Sequence, residues 1–218
     1  MIEQEINKLK ENIVGYASFA AKMIEESIAG LLEKDESLLQ KVITESETKA
    51  NNLEIEIDEE CVQAIAKYEP KAKNLRTVLM IMQINNDLER IGDEAVNVAE
   101  SALFLIKRPA VKKLIDIPRM ADISIGMLKD SITAFINSNA SLAREICVRD
   151  NLVDDLRDQV ARELITYMIS DASTIERALH LMRIARSLER VADLSTNFCE
   201  DVVFMAEGKI IKHHHDEE

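Results

Sequence analysis

The sequence is poor in the residues that build turns and aromatic cores. Among its 218 residues there are only five Gly, three Pro and no Trp, and aromatic residues make up 4%. An all-β protein needs many turns, so this scarcity argues against that class. Hydrophobic residues nevertheless amount to 47%, and the core must therefore consist of Leu, Ile, Val, Ala and Met. That composition is typical of helical bundles.

Cysteines, leader sequences and long apolar runs are also scarce or absent. Cys61, Cys147 and Cys199 are odd in number, far apart and outside any Cys-x-x-Cys pattern, which indicates buried free thiols and a reducing compartment. Residues 1–5 lack the basic start and apolar run of a signal peptide. No stretch approaches the roughly 18 apolar residues of a transmembrane helix. We therefore expect a cytoplasmic protein without a membrane span.

The charge of the chain is strongly acidic. It carries 40 acidic and 27 basic residues, which makes a formal net charge of −13. A surface with this excess of carboxylates repels phosphate backbones, so we expect no nucleic-acid partner. The same excess favours binding of cations or of the basic surfaces of other proteins.

The most informative feature is an internal duplication around two acidic stretches, residues 87–100 and 187–200. Five polar residues recur at an offset of 100 positions, and apolar positions such as Leu88 and Leu188 recur between them. The recurring polar residues are Glu89, Arg90, Asp93, Asn97 and Glu100, matched by Glu189, Arg190, Asp193, Asn197 and Glu200. A fixed offset over several identities predicts a repeated structural unit, and hence two similar halves.

Each acidic stretch has a helical pattern that separates charge from core. At about 100° per residue, the side chains of Glu89, Asp93 and Glu100 fall within roughly 40° of one another. Asn97 lies one step further round on the same side. The apolar residues of the stretch gather on a different face, which is expected to pack into a core. The spacing Glu-x-x-x-Asp therefore places two carboxylates one turn apart, outside the apolar face.

Carboxylates and amide oxygens without nearby His or Cys make an oxygen-only ligand set. Such ligands suit hard cations, namely Mg²⁺, Mn²⁺, Ca²⁺ or ferric iron, better than copper or structural zinc. One helix supplies only two carboxylates, so tight binding requires a second pair from a neighbouring helix. The alternative is a solvated helix face, because like charges four residues apart cost only about 0.2–0.5 kcal/mol when exposed. From these residues alone the solvated face is favoured, although the duplication weakens it.

The periodicity of apolar residues predicts six long helices. Apolar side chains recur at three- and four-residue steps in each segment, and Pro70, Pro109 and Gly208 stand where segments end. Asp35 is the expected N-cap of the second helix, and Ser173 to Glu176 is a capping box that opens the sixth. The predicted helices cover residues 3–33, 36–68, 71–107, 118–137, 140–169 and 173–206.

The expected fold is all-α. Three helices, a linker and three more helices, all long and joined by short turns, predict two tandem pseudo-symmetric three-helix bundles of antiparallel helices. The duplication sets the expected domains at residues 1–109 and 110–218. A coiled coil is the alternative, but strict heptads are not sustained through either acidic stretch. His213 to His215 are interpreted as part of a tail without a function.

The acidic stretches and the residues around them resemble the signature of the PhoU family, which regulates phosphate transport. Residues 85–97, Asn-Asn-Asp-Leu-Glu-Arg-Ile-Gly-Asp-Glu-Ala-Val-Asn, carry the first match. Residues 149–156, 175–180 and 188–193 continue it in the second half, where the last reads Leu-Glu-Arg-Val-Ala-Asp. The resemblance spans essentially the whole chain, in both repeats and in order.

The resemblance implies that the two bundles bind multinuclear metal clusters on their surfaces. Iron, manganese or magnesium is the expected metal, with zinc as the weaker alternative. The resemblance also implies a negative regulator of phosphate uptake and of the phosphate-starvation response. Such a protein is expected to link the ATPase of a phosphate ABC transporter to a sensor histidine kinase, and to form a homodimer. With the resemblance taken into account, metal binding is favoured over a solvated helix face.

Carried over position by position, the family's motifs supply metal ligands from two helices of each half. The last helix of each half supplies Glu89, Asp93 and Asn97, and Glu189, Asp193 and Asn197. The preceding helices add Glu47 and Asn51 in the first half, and Asp150 and Asp154 in the second. Asn51 stands where the family usually has an acid, which predicts weaker metal binding in the first half. Many members have His directly after the motif Asp; this chain has Glu94 and Leu194, so imidazole ligation is excluded there.

Catalysis has little support in the sequence. Di-iron carboxylate proteins place Glu-x-x-His on facing helices, whereas His180 follows Glu176 by four positions. No Ser, Cys or His belongs to a recognisable nucleophile arrangement. We therefore expect that the protein is not an enzyme. The function indicated is a metal-binding regulatory adaptor, and the alternatives are a metal-storage bundle and an accessory module of another ion transporter.

Overall fold

The computed structural model describes residues 2–210, and these residues form eight α-helices and no strand. In the first half they are α1 (Ile2–Glu33), α2 (Glu36–Lys41), α3 (Glu47–Tyr68) and α4 (Lys73–Ile106). The second half contains α5 (Asp116–Asn137), α6 (Ala140–Val148), α7 (Asp150–Ser170) and α8 (Ile175–Glu207). The all-α prediction is confirmed. His213 to His215 and the end of the predicted second domain lie outside the described residues.

The eight helices make up the six predicted segments, because two segments are interrupted. The second predicted helix, residues 36–68, is divided by a π-helix at Val42–Ser46, between α2 and α3. The fifth, residues 140–169, is divided at Arg149, between α6 and α7. Both interruptions stand immediately before the first predicted metal ligand of their repeat, Glu47 or Asp150.

The π-helix results from one additional residue in the first repeat. Asp35 accepts a hydrogen bond from the backbone N–H of Leu38, and Asn139 accepts the matching bond from Leu142. These two N-caps are equivalent, but the first repeat has one more residue between its cap and Glu47 than the second has before Asp150. A π-turn accommodates a single inserted residue without rotating the helix that follows. The ligand-bearing faces of α3 and α7 are therefore equivalent despite the different spacing.

The entry into α8 differs from the predicted capping box. Asp171 is the residue that caps this end, since its carboxylate accepts the backbone N–H of Ser173 at 2.9 Å. A short 3₁₀ turn, Ala172–Thr174, follows, and Thr174 makes no side-chain cap to α8. The carboxylate of Asp171 thus replaces the predicted hydroxyl, as both are good acceptors at a helix start. Gly208 ends α8 as predicted, in a left-handed conformation with φ of 73°.

The two repeats pack against each other along the helices that carry the acidic stretches. α4 contacts α1 and α3 of its own repeat and also α8 of the other, and α1 contacts α5. The buried apolar side chains of both repeats form one continuous cluster. The boundary at residues 109 and 110 stays a prediction. None of the helices in the described part of the chain combines the length and the apolar character that a bilayer crossing requires.

Candidate functional site

The first acidic cluster consists of Glu54 on α3 with Glu89 and Asp93 on α4. Burial raises the pKa of the Glu89 carboxyl, and the negative charges of Asp93 and Glu54 raise it further. The pKa of Asp93 is raised by burial and by the charge of Glu94. Carboxylates that raise one another's pKa share a site in which a cation would be stabilised. Glu54 is not among the predicted ligands, although it lies one turn beyond Asn51.

A tyrosine lies in the core beside this cluster. The side chain of Tyr16 on α1 is only 1% exposed, and its hydroxyl has no hydrogen-bond partner among the described residues. Burial raises the pKa of this hydroxyl well above its ordinary value, and the charges of Glu89 and Glu54 act in the same direction. Buried hydroxyl groups are normally hydrogen-bonded, so this one is a donor that a ligand bound at the cluster can use.

The remaining predicted ligands of the first repeat lie on the same faces of α3 and α4. Glu47 is the first residue of α3 and is half-buried, whereas Asn51 and Asn97 are exposed. Glu47 and Asn51 precede Glu54 by two turns and one turn, so all three share one face of the helix. The amide of Asn97 donates a hydrogen bond to the carboxylate of Glu94 at 3.1 Å.

The second acidic cluster consists of Asp150 and Asp154 on α7 with Glu189 and Asp193 on α8. Burial, followed by the charges of Asp193, Asp154 and Glu189, raises the pKa of Asp150 to about 7. Burial also raises the pKa of Asp193, as do the charges of Glu189 and Asp154. The structure therefore brings the four predicted carboxylates of this repeat together.

A guanidinium group lies inside the second cluster. Arg157 donates to Glu189 Oε1 at 2.5 Å and lies 2.8 Å from Asp154 Oδ1, so it joins α7 to α8. The equivalent position of the first repeat holds Glu54. Arg157 is not among the predicted site residues, although its position three residues after Asp154 is a helical ion-pair spacing. The second repeat thus has an arginine bonded to its cluster at the position where the first repeat has a carboxylate.

Both clusters border one polar cleft of about 560 Å³ between the repeats. An ion pair from Arg190 Nη1 to Glu94 Oε1, at 3.0 Å, joins α8 to α4 beside it. Glu94, at the position where many family members have His, is buried and bonded to both Arg190 and Asn97. The lining residues are Arg90, Asp93, Glu94, Asn97, Asp150, Arg190, Asp193, Leu194, Thr196 and Asn197. Predicted ligands of both repeats, including Asn97 and Asn197, therefore face a common space.

The donor set suits a hard cation, but the side chains do not form a closed metal site. Within residues 2–210, no three carboxylate, imidazole or thiol groups converge closely enough to hold one ion. Asp150 Oδ1 is nevertheless buried and has no hydrogen-bond partner among these residues, which costs free energy unless a ligand pairs with it. Metal binding by the predicted residues stays a prediction.

Comparison with known proteins finds relatives over the full length of the chain. The model of the PhoU domain matches residues 3–102 and 117–202, one match for each repeat. The "phosphate-specific transport system accessory protein PhoU homolog" of Aquifex aeolicus is 37% identical over 215 residues, which cover 99% of this chain and 97% of that protein. The accessory protein PhoU of Escherichia coli is 31% identical over 209 residues, covering 96% of this chain and 86% of the relative.

Two crystal structures have the same fold. PhoU from Pseudomonas aeruginosa superimposes with a TM-score of 0.92 at 30% sequence identity, covering 96% of this chain and 100% of that one. The "phosphate transport system regulatory protein PhoU" of Streptococcus pneumoniae superimposes with a TM-score of 0.89 at 25% identity, covering 97% and 100%. The likeness therefore includes the arrangement of both repeats.

Proposed function

The chain belongs to the PhoU family, and from this premise we propose that it is a metal-binding regulatory adaptor of a phosphate transport system. It contacts the ATPase of a phosphate ABC transporter and a sensor histidine kinase, and it lowers phosphate uptake and starvation signalling. The observation that carries the proposal is the similarity of both repeats, over nearly the full chain, to proteins named as phosphate-specific transport accessory proteins. Those names describe no enzyme, in agreement with the expectation from the sequence.

Hard cations bind at the two acidic clusters in this proposal, with iron, manganese or magnesium as the metals. The residues that hold them are the predicted ligands together with Glu54. The bound cation neutralises carboxylates that otherwise repel one another, and so orders the cleft between α4 and α8. The buried, unpartnered Oδ1 of Asp150 supports this part of the proposal. The adaptor acts as a homodimer in the cytoplasm.

Metal content tests the assignment of ligands. We expect the double variant Glu189→Ala, Asp193→Ala to lose the metal of the second cluster, because half of that cluster's carboxylates are removed, while far-UV circular dichroism stays unchanged. Elemental analysis of protein purified without chelators measures the loss. Glu56→Ala with Glu59→Ala is the matched control, since both are exposed acids on α3 outside the clusters. Unchanged metal in the first double variant would refute the assignment.

Binding to the two partners tests the adaptor role. The protein is immobilised and titrated with the transporter's ATPase subunit and with the cytoplasmic part of the histidine kinase from the same organism. We expect both to bind at physiological ionic strength. If neither binds, with or without added Mn²⁺, the adaptor role is wrong whatever the metal content.

A further inference from the structure

A groove of about 640 Å³ runs between α7 and α8, next to the second acidic cluster. Its floor is apolar and is formed by small or aliphatic side chains, namely Val160, Ala161, Met182 and Ala185. Four arginines border it, together with two carboxylates of the second acidic cluster: Arg157, Arg183, Arg186, Arg190, Glu189 and Asp193. Leu179, at one end of the groove, is 47% exposed. The groove thus combines an accessible apolar surface with a basic rim.

At the equivalent place in the first repeat, polar side chains join the two helices. Asn85 on α4 donates a hydrogen bond to Asp58 Oδ1 on α3 at 3.0 Å and another to the backbone carbonyl of Glu54 at 2.8 Å. The equivalents of Asp58 and Asn85 in the second repeat are Ala161 and Ala185. Replacing this hydrogen-bonded pair by two methyl groups opens the space between the helices.

The two repeats also differ in charge along the rim of the groove. Arg183 and Arg186 stand where the first repeat has Gln83 and Asn86, so the second repeat gains two positive charges along α8. Both arginines are exposed, and neither forms an ion pair with any of residues 2–210. Their guanidinium groups are therefore available to a partner. Their spacing of three residues places the two guanidinium groups on one side of α8, about one turn apart.

The basic rim is a local reversal of the charge of the molecule. The chain as a whole has a net charge of −13, so exposed and unpaired arginines side by side contrast with their surroundings. Arg157 and Arg190 are already paired with Glu189 and Glu94, which leaves Arg183 and Arg186 to act on a partner. Basic side chains beside an apolar floor complement a partner that presents carboxylates next to apolar side chains.

We propose that the α7–α8 groove is the docking site for an acidic amphipathic helix of a partner protein. The apolar face of that helix lies on Ala161, Met182 and Ala185, and its carboxylates pair with Arg183 and Arg186. The identity of the partner rests on the proposed adaptor role, whereas the chemistry of the groove does not.

Two sets of substitutions convert the groove to the residues of the first repeat. Ala161→Asp with Ala185→Asn fills the floor, and Arg183→Gln with Arg186→Asn neutralises the rim. The rim variant changes exposed residues only, so it stays informative if the floor variant does not fold. The matched control is Gln83→Ala with Asn86→Ala, the equivalent exposed positions of α4. Circular dichroism establishes that each variant is folded.

The direct probe is a fluorescent synthetic amphipathic helix of Leu and Glu, together with a twin that has Lys in place of each Glu. Fluorescence anisotropy of the full chain with each peptide measures affinity at two salt concentrations. We expect the acidic peptide to bind the wild type and the control, with an affinity that falls as salt rises. Its affinity for either groove variant should be lower by about tenfold or more. The Lys peptide is expected to bind the acidic surface elsewhere, so its affinity should not fall with either groove variant.

Several outcomes would overturn the proposal. These are equal affinity of the acidic peptide for wild type and both folded groove variants, no binding of that peptide to the wild type, or a loss of the Lys twin's affinity with the groove variants as large as that of the acidic peptide. Self-association of the wild type, or its capture by phosphatidylglycerol vesicles, would assign the groove to another occupant if the rim variant abolished it. If the ATPase or the kinase binds all variants equally, the adaptor role stands and the groove proposal fails. The peptide measurement decides the groove even if neither protein binds.

Discussion

Glu54 and Arg157 occupy equivalent positions and have opposite charges, so the two acidic clusters differ in how their repulsion is offset. Arg157 pairs with Asp154 and Glu189, whereas Glu54 adds to the repulsion on Glu89. The identity and helical phase of both residues can be predicted from the sequence. Their contacts across to α4 and α8 cannot, because the reach of a long side chain depends on how neighbouring helices pack.

Asp150 should make the stability of the metal-free protein depend on pH. Its pKa of about 7 in the fold lies above the ordinary value near 4, so the folded protein holds a proton there that the unfolded chain has lost. Stability contributed by this group is therefore present at low pH and is lost as pH rises towards 7. Asp150→Asn, which cannot ionise, should be more stable than the wild type at pH 8.

The expected gain in free energy of unfolding is about 1–2 kcal/mol at pH 8, which is less than the full pKa shift implies because Asp150 is partly exposed to solvent. The gain should disappear near pH 4. Urea unfolding in the presence of a chelator, repeated across this pH range, measures it. Asp155→Asn, at an exposed acid on the same helix, is the control for the effect of the substitution itself. A gain that stays constant from pH 4 to pH 8 would contradict the raised pKa.

At the scale of the elements, the six helical segments could be predicted from the sequence, but the two interruptions could not. The buried positions Leu39, Val42, Ser46 and Ala50 recur at three- and four-residue steps, a spacing that also fits an unbroken α-helix. Only the comparison of the two repeats reveals the additional residue before Glu47. The capping box at Ser173 failed for a similar reason, since an equally good acceptor, Asp171, lies two residues earlier.

Deletion of Thr44 should be tolerated because it removes the inserted residue of the π-helix. Thr44 is exposed, and the shortened segment would have the cap-to-ligand spacing that the second repeat already uses. We expect a stability change within about 1 kcal/mol, measured by chemical unfolding. Deletion of the exposed Glu56 in α3 should cost more than about 3 kcal/mol, because it turns Ile57 and Cys61 away from the core. Equal costs for the two deletions would contradict this account of the π-helix.

At the scale of the whole molecule, the duplication predicted two similar halves but not how closely they are joined. Repeated sequence identifies equivalent helices and carries no information on which faces of the two units meet. In the structure α4 packs against α8, and the ring of Phe104 stacks on His180 at 3.9 Å across the repeats. Because the apolar cluster is continuous, neither half has a core that is complete without the other.

A shared core predicts that the repeats unfold together. Phe198 is 1% exposed and lies beside Phe135 within the second repeat, so Phe198→Ala should cost about 3–5 kcal/mol. If the core is shared, Phe198→Ala should lose amide-exchange protection in α1 and α4 of the first repeat as well as in α8. Calorimetry should then show one unfolding transition with equal van't Hoff and calorimetric enthalpies. The control is Glu59→Ala, which changes an exposed residue of α3 and should leave amide-exchange protection unaltered in both repeats. Loss of protection confined to α5–α8 would mean that each repeat is an independent folding unit, and the cleft between α4 and α8 would then be an interface between domains.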